Sequence, residues 1–113
     1  MKKIEVPILN DEYFVVVLWG NPKKACKWVS NYLGENYPLE DFTSLRGRTL
    51  MRGDCAPVIY INSKKTFMST LAHEAVHAIS FIWKQIGEES KDEIFAHSIG
   101  SIVRIVENKR NNL

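Results

Sequence analysis

Residues 66–86 form the longest stretch of helical periodicity in the chain. When successive residues are placed about 100° apart, as 3.6 residues per turn requires, the apolar side chains occupy an arc of roughly 160°. These are Leu71, Ala72, Ala75, Val76, Ala78, Ile79, Ile82, Trp83 and Ile86. Gly87 follows directly, as is typical of the residue after a helix C-terminus. The rest of the chain must therefore cover one apolar face of a long helix.

The polar side of this helix carries His73, Glu74 and His77, an H-E-x-x-H pattern. Residues four apart lie one turn apart on the same face, so both imidazoles can reach one zinc ion at about 2.0–2.1 Å. Glu74 lies beside His73 and is placed to act as general base on a zinc-bound water. The pattern predicts a metal site, and the simpler alternative is a pair of surface histidines.

Length, composition and charge limit what the chain can be. Its 113 residues suffice for one small domain, residues 1–113, and apolar residues at 45% with charged residues at 25% are typical of a globular protein. The net charge of +2 is too small to predict a nucleic-acid partner. No apolar stretch reaches about 18 residues, so we expect no membrane partner. Residues 1–7 lack the apolar segment of a secretory signal.

The first half of the chain predicts a strand and a helix. Residues 12–19 are β-branched and aromatic, which indicates a strand buried on both faces. Asn21 and Pro22 suit the N-cap and first position of a helix that ends before Gly34. Residues 35–45 are rich in turn formers and predict a loop.

The second half supplies the remaining elements. Residues 46–52 weakly predict a strand, which can pair as a hairpin with the clearer strand Val58–Asn62. After the helix of residues 66–86, a last helix is expected over residues 91–108. The order β-α-β-β-α-α predicts an α+β fold, with the helices on one side of a small sheet that packs against the H-E-x-x-H helix and the last helix.

A catalytic zinc ion needs a third protein ligand. The downstream candidates are Glu88, Glu89, Asp92, Glu93 and His97. We favour Glu93, because the first turn of the last helix is close to the connection and easy to bring to the metal. The alternative for Glu93 is a capping box with Ser90, and His97 is the next ligand candidate.

The stretches 70–78 and 92–97 together resemble small gluzincin-type zinc metallopeptidases, in particular the compact peptidases encoded by bacteriophages and prophages. The resemblance covers about residues 58–106, and the family's motif residues fall on His73, Glu74, His77 and Glu93. It implies a minimal zincin-like fold with one Zn²⁺ per chain, held by His73, His77 and Glu93. It also implies hydrolysis of peptide bonds with Glu74 as catalytic base, and a location in the host cytoplasm for a phage-encoded protein.

Other roles follow from this hypothesis. The developing oxyanion needs a donor besides zinc, and the candidates are His97, Arg104 and Tyr60. A peptide or protein substrate can add as a further strand along Val58–Asn62. Cys55 is either a turn residue or a thiolate near the metal; with Cys26 it forms no C-x-x-C pair and no disulfide framework, which indicates a reducing, cytoplasmic setting.

Three rival interpretations remain. The first is a zinc-binding interaction module without turnover, with His97 as a fourth ligand. The second is a binding protein without metal, in which His73 and His77 are surface residues. The third is a peptidase of the SprT type, which requires a histidine as third ligand and has only His97 available.

Overall fold

The computed structural model describes residues 1–87 and 92–112, and in this part of the chain it has an α+β fold. A mixed sheet of four strands is accompanied by four helices. The elements are β1 Lys2–Ile8, β2 Tyr13–Trp19, α1 Pro22–Leu33, α2 Glu40–Thr43, β3 Gly47–Leu50, β4 Val58–Ile61, α3 Phe67–Ile86 and α4 Asp92–Asn111. The predicted order therefore lacked β1 and the short α2.

Strand β1 is an edge strand that pairs antiparallel with β2, with Lys2 opposite Trp19 and Ile8 opposite Tyr13. Its apolar residues alternate, but Pro7 lies within the pattern. Proline is tolerated on an edge strand, because one side of that strand needs no ladder hydrogen bonds. This tolerance explains how a segment with a proline and two lysines still forms a strand.

The strand order is β1-β2-β4-β3, with β2 and β4 parallel and β3 antiparallel to β4. The predicted hairpin of β3 with β4 is confirmed. Strand β4 is paired on both sides within the described residues, so the predicted addition of a substrate strand along Val58–Asn62 finds no free edge there. The free edges of this sheet belong to β1 and β3.

Both faces of the sheet are covered by helices, which corrects the expectation that all helices lie on one side. Val15 and Val17 of β2 point into a core with α3 and α4. Val16 and Leu18 point into a second core with α1 and Phe42 of α2. Strand β2 is therefore buried on both faces, as its continuous apolar sequence predicts.

The helix ends follow the sequence signals. The Asn21 side chain accepts a hydrogen bond from the backbone N–H of Lys24, and Gly34 and Gly87 end α1 and α3 in the left-handed conformation. Helix α3 covers nearly the predicted range, and α4 runs to Asn111 rather than residue 108. Of the helices in residues 1–87 and 92–112, none is long and apolar enough to cross a membrane.

Helices α3 and α4 pack antiparallel. The Trp83 and Phe95 rings meet edge to face at 5.9 Å near the end of α3 and the start of α4. At the other end, the Arg110 guanidinium lies 4.0 Å over the Phe67 ring. These two contacts show that α4 runs back along the length of α3.

Candidate metal site

The structure brings His73, Glu74 and His77 together on α3. Each offers one ligand atom, and these atoms lie within 4.8 Å of one another. The two imidazole rings are 5.2 Å apart between centroids, and His73 Nε2 lies 3.8 Å from Glu74 Oε2. Two nitrogens of one tetrahedral zinc site are about 3.3 Å apart, so a small change of side-chain rotamer suffices. The donor set therefore fits a divalent transition metal.

Glu74 differs from the histidines in its burial. Its side chain is 11% exposed, against 71% for His73. The Thr49 hydroxyl on β3 lies 3.0 Å from both Glu74 Oε1 and the Glu74 backbone oxygen, and its single proton can be donated to one of them at a time. Glu74 Oε2 is left facing His73. A buried carboxylate held at one oxygen and open at the other is well placed to move a proton.

A cleft of about 360 Å³ adjoins the group between α3 and the start of β3. Its lining comprises Leu45, Arg46, Gly47, Ser69, Thr70, His73 and Glu74. A Cβ atom at position 47 would clash with the Thr70 methyl group and would lie 3.2 Å from the Tyr60 backbone oxygen. Glycine at position 47 therefore allows the edge strand to approach α3 closely beside Glu74.

Glu93 lies outside this group in the structure. Among the described residues the group has no fourth member, and the Glu93 side chain is exposed on the first turn of α4. Helix α3 continues from His77 to Ile86, which is about 13 Å at 1.5 Å per residue, before the chain turns back to α4. Glu93 as third ligand stays a prediction, and it requires α4 to move relative to α3.

The directions in which the side chains leave α3 also bear on whether Glu93 can reach the histidines. On a helical projection, His77 points about 60° from Glu74 and about 120° from Trp83. Glu74 contacts β3, whereas Trp83 contacts α4. His73 points about 100° from Glu74 and about 80° from Trp83, so the histidine pair points between the flank that meets β3 and the flank that meets α4. The predicted capping partner, Ser90, lies outside the described residues, as do Glu88 and Glu89, and nothing is described of the Asp92 side chain.

The three candidate oxyanion donors do not share the cleft. Tyr60 is 1% exposed in the core on the opposite face of the sheet, where its hydroxyl donates to the Gly20 carbonyl at 2.8 Å. Burial raises the pKa of this phenol above its ordinary value. His97 lines a separate cleft with the β1–β2 turn, and Arg104 is exposed on α4.

Cys55 lines a cleft near the last turn of α3, together with Gln85 and Ile86. That turn is two helical turns from His77, so the interpretation of Cys55 as a turn residue fits this structure better than a thiolate near the metal. The cysteine adds no ligand to the group found on α3.

Two residues beside the site were missed by the sequence reasoning. Thr49 holds Glu74, and Arg46 lines the same cleft as His73. Both lie in or next to the weakly predicted strand of residues 46–52. A strand joined to β4 as a hairpin, directly before the H-E-x-x-H helix, was the signal that could have placed them there.

The arrangement can hold a cation with imidazole nitrogens, accept a proton at Glu74 and present an open cleft beside an edge strand. These are requirements of metal-assisted hydrolysis. Comparison with known proteins adds nothing to this description: no family model matches the chain, and no curated protein or solved structure matches it.

Proposed function

We propose that the protein is a zinc-dependent peptidase that binds Zn²⁺ through His73 and His77 and hydrolyses peptide bonds with Glu74 as general base. The observation that carries this proposal is the cluster of three ligand atoms within 4.8 Å, one of them on a buried carboxylate. The resemblance to gluzincin-type peptidases supports the same reaction. Glu93 remains the sequence-predicted third ligand.

In this mechanism, each residue of the site has its own role. A zinc ion at the histidines would supply Lewis acidity and lower the pKa of water toward ~7. Glu74 takes a proton from the attacking water and passes it to the leaving amine, so that water is added across the peptide bond. Thr49 keeps the carboxylate in place during both transfers. Arg46, in the same cleft, is our candidate donor to the developing oxyanion.

The edge strand beside the site suggests how a substrate binds. Strand β3 ends the sheet, packs against α3 and begins at the cleft that contains His73. An extended peptide can pair with the free edge of such a strand through main-chain hydrogen bonds. We therefore propose β3, in place of β4, as the substrate edge. The substrate class is an extended segment of a peptide or unfolded protein.

Zinc content tests the ligand assignment. The protein is purified without chelator, incubated with zinc, desalted and measured by elemental analysis. We expect about one zinc per chain in the parent and in Glu74→Gln, and loss in His73→Ala. His97→Ala is the matched control, because it removes the chain's third histidine from a different cleft and should retain zinc. A parent protein that holds no zinc would contradict the proposal.

Hydrolysis of a quenched fluorescent unfolded protein tests the base. Glu74→Gln should lower the rate by at least about 100-fold while zinc stays bound, since general-base catalysis contributes about 10²–10⁴-fold. A Glu74→Gln variant that keeps both zinc and full activity would place the base elsewhere.

A second candidate function is a metal-binding module without turnover. It is favoured by one observation: in the described residues the only carboxylate in the group is Glu74. If Glu74 is itself a ligand, no base remains in the group. Loss of zinc from Glu74→Gln would support this second function, and retention of zinc would support the peptidase.

A further inference from the structure

The charges of the protein are separated in space. The net charge of +2 does not show this separation, because 15 Lys and Arg residues nearly balance 13 Asp and Glu residues over the whole chain. Eight of the cationic side chains lie in four segments, residues 1–3, 20–24, 62–67 and 107–112. They are Lys2, Lys3, Lys23, Lys24, Lys64, Lys65, Lys109 and Arg110. The same segments contain one acidic residue, Glu107.

The topology brings these four segments to one end of the molecule, here called the basic end. Strands β2 and β4 are parallel and both finish there, while β1 starts there, with Lys2 opposite Trp19. Helices α1 and α3 follow β2 and β4 directly, and α4 finishes there, with Arg110 over Phe67. The eight cations therefore surround the carboxyl ends of two adjacent parallel strands.

The opposite end of the molecule carries more acidic than basic residues. At this end lie the β1–β2 turn, the loop before β4 and the first turns of α4. Residues 9–14, 53–57 and 92–97 contain five acidic residues and no Lys or Arg. Arg52, which pairs with Glu35, and Lys84 lie beside these segments. The electrostatic polarity of the protein therefore arises mainly from the basic end.

The cations of the basic end have no acidic partners in the structure. Seven of them are exposed lysines, and none of the eight side chains forms an ion pair within residues 1–87 and 92–112. A cavity of about 450 Å³ lies among them at the strand ends, with Lys64 and Arg110 in its wall. Cations that are neither paired nor diluted by acids attract an anionic partner rather than stabilise the fold.

The surface favours nucleic acid over a membrane. A peripheral membrane site needs exposed apolar side chains to enter the interface. Of the large exposed apolar residues in the described chain, Met1 belongs to the basic end and Leu45 adjoins it, since the Leu45 carbonyl accepts a hydrogen bond from the Asn62 side chain. Two such residues offer a small apolar anchor. A phosphate backbone needs no apolar anchor, because duplex DNA carries one charge per about 1.7 Å of its axis and binds by releasing counterions.

We propose that the basic end binds the phosphate backbone of nucleic acid without reading its sequence. Opposite charges account for the association, and the opposite end, with more acidic than basic residues, keeps that side of the protein away from the polyanion. None of the eight cationic residues lines the cleft beside His73, so we expect nucleic acid to bind without the histidines.

Fluorescence anisotropy with a short labelled DNA duplex of random sequence tests this proposal. We expect the affinity to fall steeply between about 50 mM and about 200 mM salt. The double variant Lys64→Gln/Lys65→Gln should bind roughly tenfold more weakly at about 50 mM salt and lower the salt slope by about two. Both lysines are exposed, so the fold should be retained.

The matched control is Lys84→Gln/Arg104→Gln, which removes the same charge from exposed positions outside the basic end. It should change the affinity less than about twofold. His73→Ala should also bind the duplex normally. Equal weakening by the two double variants, absence of duplex binding at low salt, or binding to phosphatidylserine vesicles without binding to the duplex would each overturn the proposal.

Discussion

The two flanks of α3 differ in how they meet the rest of the fold. On one flank, Glu74 is held by the Thr49 hydroxyl of β3, and His73 lines a cleft that starts at the same strand. On the other flank, Trp83 meets Phe95 of α4, and the contact is apolar. The chemistry of the helix is thus supported by the sheet edge, while α4 contributes mainly to the core.

This difference teaches which part of a metal site a sequence can specify. The spacing of His73 and His77 is set within one helix, so the period of 3.6 residues places both on one face wherever the helix lies. The contribution of Glu93 depends on how a second helix is rotated and shifted against the first. That relation is set by packing over the whole interface, and residue spacing does not determine it.

The largest expected effect contrasts a residue of the group with the residue outside it. His77→Ala should weaken zinc binding by at least about 100-fold, because even residues that only support ligands contribute about 10–100-fold. Glu93→Gln distinguishes two arrangements: the zinc affinity changes less than about twofold if Glu93 stays outside the group, as in this structure, and falls as in His77→Ala if Glu93 is the third ligand. Competition with a chromogenic chelator measures both affinities.

If Glu93→Gln loses zinc as completely as His77→Ala, the conclusion that α4 contributes mainly to the core is wrong. Helix α4 would then have to turn toward the histidines in the metal-bound protein, and the ligand set predicted from the sequence would be correct. Glu107→Gln is the control, because it removes an exposed carboxylate from the far end of the same helix.

For the fold as for the metal site, the sequence predicted the local elements better than their arrangement in space. Periodicity and capping signals gave α1 and α3 nearly to the residue, since these signals are local. Strand β1 was missed because its pattern is short and contains Pro7, which only its edge position makes acceptable. The helices on both faces were implied by the continuous apolar residues Val15–Leu18, which need a cover on each side of the sheet.

The next effect concerns the flank that faces β3. Thr49→Val removes the hydroxyl that positions Glu74, and we expect peptide hydrolysis to fall about tenfold with zinc content unchanged. Thr49→Ser keeps the hydroxyl and should retain most of the activity. Rates and zinc content are measured on the same samples. A Thr49→Val enzyme with full activity would show that Glu74 needs no support from the sheet.

Two glycines allow the packing of the flanks to be compared by stability. Gly47→Ala should destabilise the protein by about 1–3 kcal/mol, because its new methyl group meets Thr70 and the Tyr60 backbone oxygen. Gly100→Ala on α4 should stabilise it by about 0.5–1 kcal/mol, since the methyl group meets nothing and alanine favours the helix. Urea denaturation followed by circular dichroism measures both changes.

Thr70→Ser tests the cause of the first change. Serine removes the methyl group that the side chain at position 47 would meet, so Gly47→Ala should be less destabilising in the Thr70→Ser background. Equal destabilisation in both backgrounds would mean that the strain at β3 comes from the backbone, and that the close approach of β3 to α3 has a different origin.

The smallest effect tests the exclusion of Tyr60 from the site. Tyr60→Phe removes the hydrogen bond to Gly20 and should lower the free energy of unfolding by about 0.5–1.5 kcal/mol, with hydrolysis unchanged.

Burial raises the pKa of Tyr60 above its unfolded value near 10. The neutral phenol therefore stabilises the fold below about pH 10, and this contribution is lost as pH rises through the folded pKa. Urea titrations at neutral and alkaline pH should show a steeper loss of stability in the parent than in Tyr60→Phe. A loss of hydrolysis in Tyr60→Phe would instead connect the far face of the sheet to the flank of α3 that carries the histidines.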